Sequence, residues 1–198
     1  MPVLRRQMLG FALAIIGFMG TIIVCVLPMW KVTVFGGVCA TQLVIWEGLW
    51  ITCAIPSPGQ RECKTYDPLL DLSQDLRAAR VLVVISIIFA AFGVILGIVG
   101  GIIFVNDVRS TAKVAIAAGI FFICASVFIL IPVCWTADTI IKGMHNPLFI
   151  TKKKLGAALY LGWGTAGLLI LGGALLCSSC PPRDSPEATL VKHVSKIF

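Results

Sequence analysis

The sequence predicts a mainly α membrane protein, a bundle of four transmembrane helices with a strand-forming segment between the first and the second. Three observations predict it. Of the 198 residues, 59% are hydrophobic and only 13% charged, with a mean hydropathy of +1.00. A soluble domain is about 45–50% apolar and about 25% charged. Four stretches free of charge, 8–27, 81–105, 114–135 and 155–177, reach the roughly 20 residues that a helix needs to cross the hydrocarbon. The third observation is a run of alternating, strand-like residues around two cysteines between the first two stretches.

The first span follows Arg5 and Arg6, so a cleaved signal peptide is the alternative. Its apolar run exceeds the roughly 7–15 residues of a signal core, and no small-residue cleavage site follows. The second span holds Gly93-x-x-x-Gly97 and Gly97-x-x-x-Gly101, and the fourth holds Gly156, Gly162, Gly164, Gly167, Gly172 and Gly173. Small residues let helices approach closely in lipid, where hydrophobic drive between helices is weak. No Asp, Glu, Lys, Arg or His lies inside a span. Transporters and proton relays usually place an ionisable group there, so a pathway through the bundle is not expected.

Four spans place both termini on one side with the turn 106–113, and the segments 28–80 and 136–154 on the other. Lys and Arg number seven on the terminus side and nine on the loop side, so the positive-inside rule does not support cytoplasmic termini. Cys53 and Cys63 bear on the question instead. They flank the turn-forming stretch from Pro56 to Gln60, between the runs Gln42 to Trp46 and Trp50 to Cys53 and the run Cys63 to Tyr66. A hairpin would bring the sulfurs face to face, and a disulfide there persists only in an oxidising compartment. The alternative is two free thiols in a cytosolic loop. Trp30 to Phe35 alternates like a further strand, and Asp67-Pro68 supplies a cap and first-turn proline for a short helix running toward Arg80.

Trp30, then Gly48-Leu49-Trp50, Cys53, Cys63, and Gln74-Asp75-Leu76 leading to Arg80 resemble the signature of the claudin family. The resemblance extends through Leu27-Pro28-Met29-Trp30, Thr111-Ala112-Lys113, Ile131-Pro132-Val133, Asn146-Pro147-Leu148 and Cys177 to Pro182, nearest to the subgroup of claudins three and four. It implies a four-transmembrane-helix bundle with a small extracellular antiparallel β-sheet, both termini cytoplasmic, and a tight-junction protein that polymerises into strands and controls paracellular permeability. The alternative is an accessory subunit or membrane-organising relative that forms no strands. An integral membrane enzyme would need a catalytic constellation that cannot be assembled, since His145 and His193 fall on opposite sides of the membrane. No cofactor, metal or nucleic acid is implied.

By that resemblance Cys53 and Cys63 form the disulfide that pins the sheet, and Trp30, Gly48, Leu49 and Trp50 anchor it at the outer leaflet. The other reading places these aromatics in the sheet core. Arg80 matches the family arginine before the second span, or snorkels at the interface. Leu69 falls where an apolar side chain enters a pocket of the next protomer in the same membrane. Met144, His145, Asn146, Pro147, Leu148 and Phe149 are the second-loop contacts, with Met144-His145 standing where relatives carry two aromatics. Lys64 matches the position whose charge sets paracellular selectivity, here toward a cation barrier or an anion-favouring channel; a solvated strand lysine is the plain alternative. The first extracellular segment balances five positive against five negative side chains, and the second carries four lysines against one aspartate, with Lys152, Lys153 and Lys154 also readable as snorkelling residues. Cys177 and Cys180 resemble palmitoylation sites, with unmodified thiols the alternative. Cys25 and Cys124 read as small core residues, and Cys39 and Cys134 as spare thiols. The partners implied are other claudin protomers in cis and in trans and membrane lipids. The ending Lys196-Ile197-Phe198 departs from the family's Tyr-Val, leaving junction scaffold PDZ domains without their usual ligand.

Overall fold

The computed structural model describes residues 2–36, 42–56, 61–65, 73–103, 108–144 and 151–178. Four helices, α1 (Pro2–Val26), α2 (Gln74–Ile103), α3 (Val108–Met144) and α4 (Ala157–Cys177), are each long and apolar enough to cross a membrane. Five strands, β1 (Lys31–Gly36), β2 (Gln42–Glu47), β3 (Ile51–Pro56), β4 (Glu62–Thr65) and β5 (Thr151–Leu155), form one antiparallel sheet in the order β4-β3-β2-β1-β5 at one end of the bundle.

Three helices run past the stretches that hydropathy marks: α1 begins at Pro2, six residues early, and α3 at Val108, so that 108–113 of the expected turn 106–113 are helical. α2 begins at Gln74, seven residues before the apolar run, so the residues read as the end of a separate short helix are the first turns of α2 itself. α3 has 37 residues, about 55 Å at 1.5 Å per residue, against about 30 Å of hydrocarbon. Its last nine residues, 136 to 144, take up half of what the sequence suggests is a loop. Asp138 and Lys142 end the apolar run there without ending the helix, because they pair at 2.6 Å across one turn on an exposed face. β5 is the other addition. Lys152, Lys153 and Lys154 lie on an edge strand paired with Val34, Thr33 and Val32 of β1. Lysines are a common guard against unwanted pairing at a sheet edge.

The helices pack through their glycines. A Cβ on Gly10 would lie 2.9 Å from the Leu175 Cβ, one on Gly172 2.7 Å from the Gly10 carbonyl, and one on Gly20 2.2 Å from the Thr165 Cγ2, so α1 and α4 touch nearly backbone to backbone. Gly119 and Gly173 do the same between α3 and α4. The glycines of α2 do not serve one partner: Gly93 faces Phe122 of α3, Gly97 faces Phe11 of α1, and Gly101 faces no atom of the described residues within 4 Å. Among the described residues Gly164 and Gly167 likewise meet nothing, so these three lie outside the packing that the sequence suggests for them.

Two apolar cores result. One, at the sheet end, gathers Val24, Trp30, Leu49, Leu76, Val83, Ile129, Val133, Ile140 and Leu159; the other, at the far end, centres on Phe122 with Ala14, Ala90, Ala118 and Leu169. Three buried hydroxyls of the spans are satisfied by carbonyls: Ser86 donates across to Ala125 at 2.7 Å, while Thr21 and Thr165 donate within their own helices to Gly17 and Gly162. With no water to accept them in a bilayer, unpaired hydroxyls would cost several kcal/mol.

Candidate functional site

The junction between sheet and bundle is built from the end of α1 outward. A helical carbonyl is normally met by the N–H four residues ahead, but four residues beyond Val24 stands Pro28, which has none. The Trp30 indole N–H donates to the Val24 carbonyl instead, at 2.9 Å. The chain then turns into β1, where the Trp30 N–H donates to the Glu47 carbonyl and the Met29 and Trp30 carbonyls receive the N–H groups of Ala158 and Gly156. These two bonds serve the start of α4, whose cap Gly156 has no side chain to do so. A Cβ at Gly156 would fall 1.9 Å from the Met29 carbonyl oxygen.

Gly48 closes the turn from β2 to β3, its N–H bonded to the Ile51 carbonyl at 3.0 Å. A Cβ there would sit 2.5 Å from Pro28 Cα, so only glycine lets the turn lie on the end of α1. Leu49 then enters the core with no exposed surface, as does Trp30. Neither reaches lipid. Of the residues expected to anchor the sheet at the membrane, only Trp50 has the surface for it, at 40% exposed, because Trp30 and Leu49 fill the space where helices and sheet meet. Trp50 also donates to the Cys25 thiol at 3.4 Å. Arg80 on α2 is neither free nor snorkelling. Its guanidinium donates through Nε at 2.9 Å and through a second nitrogen to the Leu49 carbonyl, and lies 4.5 Å from the centre of the Trp50 ring. One arginine thus ties the β2–β3 turn to the second span.

Cys53 and Cys63 stand opposite each other on β3 and β4 and form a disulfide. The next cross-strand row, on the other face, runs Leu155, Lys31, Glu47, Thr52, Lys64. Lys31 and Glu47 pair at 3.8 Å, the Thr52 hydroxyl is buried with no partner among the described residues, and Lys64 ends the row exposed on β4. Among the described residues Lys64 has no ion-pair partner, although Glu62 shares its face two residues away. Arg61 lies over Trp46, 4.8 Å from the ring centre.

Several expected site residues fall elsewhere. Leu69, His145, Asn146, Pro147, Leu148, Phe149, Cys180 and Cys39 lie outside the described residues, and Met144 is placed only as the last residue of α3. Cys177 is half-buried, its thiol 3.7 Å from the Ile116 carbonyl on the side facing α3, so an acyl chain there would displace packing. Cys25 is buried as expected; Cys124 is only half-buried, and Cys134 is exposed on α3. By sequence Pro28 counts toward the family resemblance and Gly156 among the packing glycines, but Pro28, Glu47 and Gly156 are given none of the roles they have here. The missing N–H of Pro28 was a legible signal, whereas the roles of Glu47 and Gly156 depend on strand register.

The model of the PMP-22/EMP/MP20/Claudin family matches residues 5–176. The chain is 52% identical to Claudin-4 of Bos taurus over 183 residues, covering 90% of this chain and 88% of the relative. It is 49% identical to Claudin-3 of Canis lupus familiaris over 187 residues, covering 92% and 86%. It is 51% identical to the claudin-like protein ZF-A89 of Danio rerio over 192 residues, covering 94% and 92%. With a family match over nearly all of the spans and sheet, and half of its residues shared with these relatives, the chain belongs to the claudins of the PMP-22/EMP/MP20/Claudin family.

Proposed function

We propose that this claudin is a structural and adhesion protein of tight junctions whose copies, or copies of it and other claudins, assemble in cis and in trans into strands that limit paracellular flow, with a barrier to cations or a preference for anions. The disulfide between Cys53 and Cys63 supports an extracellular sheet, since such bonds persist in oxidising surroundings, and thus cytoplasmic termini. The second-loop tip from Met144 to Phe149 and Leu69 are the contacts assigned to neighbouring protomers. Cys177 and Cys180 are assigned to lipid attachment on the cytoplasmic side, and the ending Lys196-Ile197-Phe198 to weak or absent scaffold binding.

The observation that carries the ionic preference is Lys64, exposed on the outermost strand and without an ion-pair partner among the described residues. Salt screens a charge within about 8 Å, so Lys64 acts on passing ions only where a second protomer narrows the path beside β4. Glu62 on the same face offsets it in part. Dilution potentials across monolayers carrying this claudin test the reading. Wild type should disfavour sodium relative to chloride, and Lys64→Asp should reverse the order at unchanged strand density. An unchanged preference removes Lys64 from the pore.

A further inference from the structure

Beside the contact of Phe11 with Gly97, at the end of the bundle away from the sheet, lies a cavity of about 460 Å³. Met8, Ala12 and Ile15 of α1 form one wall, Ile98 and Gly101 of α2 the other, and Ala115 of α3 part of the floor. From Met8 to Ile15 it extends about 10 Å along the helix axis. α1 is held against α4 by Gly10, Gly17 and Gly20, whereas α1 and α2 meet at Phe11 and leave this space open. Among the described residues a Cβ on Gly101 would meet no atom within 4 Å, so none of them fills the space beside it. Volumes of about 300–1,000 Å³ are those of ordinary ligand sites.

Among the described residues the charges beside the mouth are basic. Arg5 and Arg6 are exposed on the turn of α1 just before Gln7 and Met8, which line the cavity, and Arg5 shares a helical face with Met8, Ala12 and Ile15. Among the described residues every acidic side chain, Glu47, Glu62, Asp75 and Asp138, belongs to the sheet or to the helix ends beside it. An apolar groove in the hydrocarbon with described basic side chains at its mouth fits one kind of molecule, an amphiphile with an acyl chain and an anionic head. We propose that this groove binds an anionic glycerophospholipid from the leaflet on the side of the termini, its chain between α1 and α2 and its headgroup against Arg5 and Arg6.

Native mass spectrometry of the purified full chain, titrated with phosphatidylserine or phosphatidylcholine of the same acyl chains, tests it. The wild type should retain phosphatidylserine at several-fold lower concentration than phosphatidylcholine. Gly101→Leu and Ala12→Phe fill the groove from opposite walls and should each reduce retention of both lipids, with thermal melting in detergent showing that the fold persists. Arg5→Gln with Arg6→Gln should keep chain binding and abolish the difference between headgroups. Equal retention of the two lipids by wild type, retention undiminished in both filling variants, or displacement of phosphatidylserine by cholesterol at equimolar amounts would overturn the proposal, the last by assigning the groove to a sterol.

Discussion

A single missing N–H, that of Pro28, orders much of the junction between sheet and bundle. Because the Val24 carbonyl cannot be met by the backbone, the Trp30 indole meets it, and Trp30 is thereby fixed with no exposed surface. Trp30→Phe keeps most of the apolar area but strands a buried carbonyl, at a cost of about 1–3 kcal/mol, read as a lower melting temperature in detergent. Arg80→Lys keeps the charge but not the planar fork that meets the Leu49 carbonyl or the stacking on Trp50. A comparable loss is expected, and Arg80→Lys should behave more like Arg80→Gln than like wild type. Gly162 and Gly164 give a sharper pair, two residues apart on α4. A side chain at Gly162 drives into Val133 Cγ2, 2.6 Å from its Cβ, whereas one at Gly164 meets nothing. Gly162→Leu should therefore cost about 1–3 kcal/mol by overpacking, and Gly164→Leu should leave the melting temperature of the monomer nearly unchanged.

At the scale of elements, the disulfide joins neighbouring strands β3 and β4 across a sequence separation of 10, and among the described residues β4 has only β3 beside it. Replacing both cysteines by serine should destabilise the sheet by about 2–4 kcal/mol; reductant should lower the melting temperature of wild type and leave that of the double variant unmoved. The four spans and this hairpin were legible because bilayer thickness and strand alternation write themselves into composition and periodicity. What hydropathy hid was helix continuing past the membrane. Gln74 to Arg80 and Thr136 to Met144 carry charges that end an apolar run, yet Asp75, Arg77 and Arg80 are half-buried and Asp138 and Lys142 exposed on helices whose backbone ladder they do not interrupt. β5 was hidden differently: three consecutive lysines read as an interfacial cluster, and only register with Val32, Thr33 and Val34 shows an edge strand. At the site, signature residues were visible as a pattern, but their physical roles were not. Sequence could not distinguish Trp30 and Leu49 filling a core from the same residues touching lipid, since that depends on how the sheet meets α1 and α4.

Across the whole molecule, the second outer segment is tethered more tightly than its length suggests. α3 carries it rigidly to Met144, and β5 takes up its other end at Thr151 against β1, so only residues 145 to 150 lie between two fixed supports. Whatever this tip contacts is met by a surface set by the bundle and sheet together. A short tethered tip loses less conformational entropy on binding than a free loop of nineteen residues, which favours adhesion. Tagged protein in fibroblasts without junctions should therefore gather at contacts between two expressing cells and not where only one cell expresses it, with strands visible on freeze-fracture. Inserting Gly-Gly after Met144 should loosen the tip and reduce this enrichment while surface expression persists, because the insertion falls between the two supports and leaves the bundle intact. Uniform surface staining of wild type would mean that the tip does not sustain contacts between identical copies; co-expression with a second claudin would then show whether a partner supplies them.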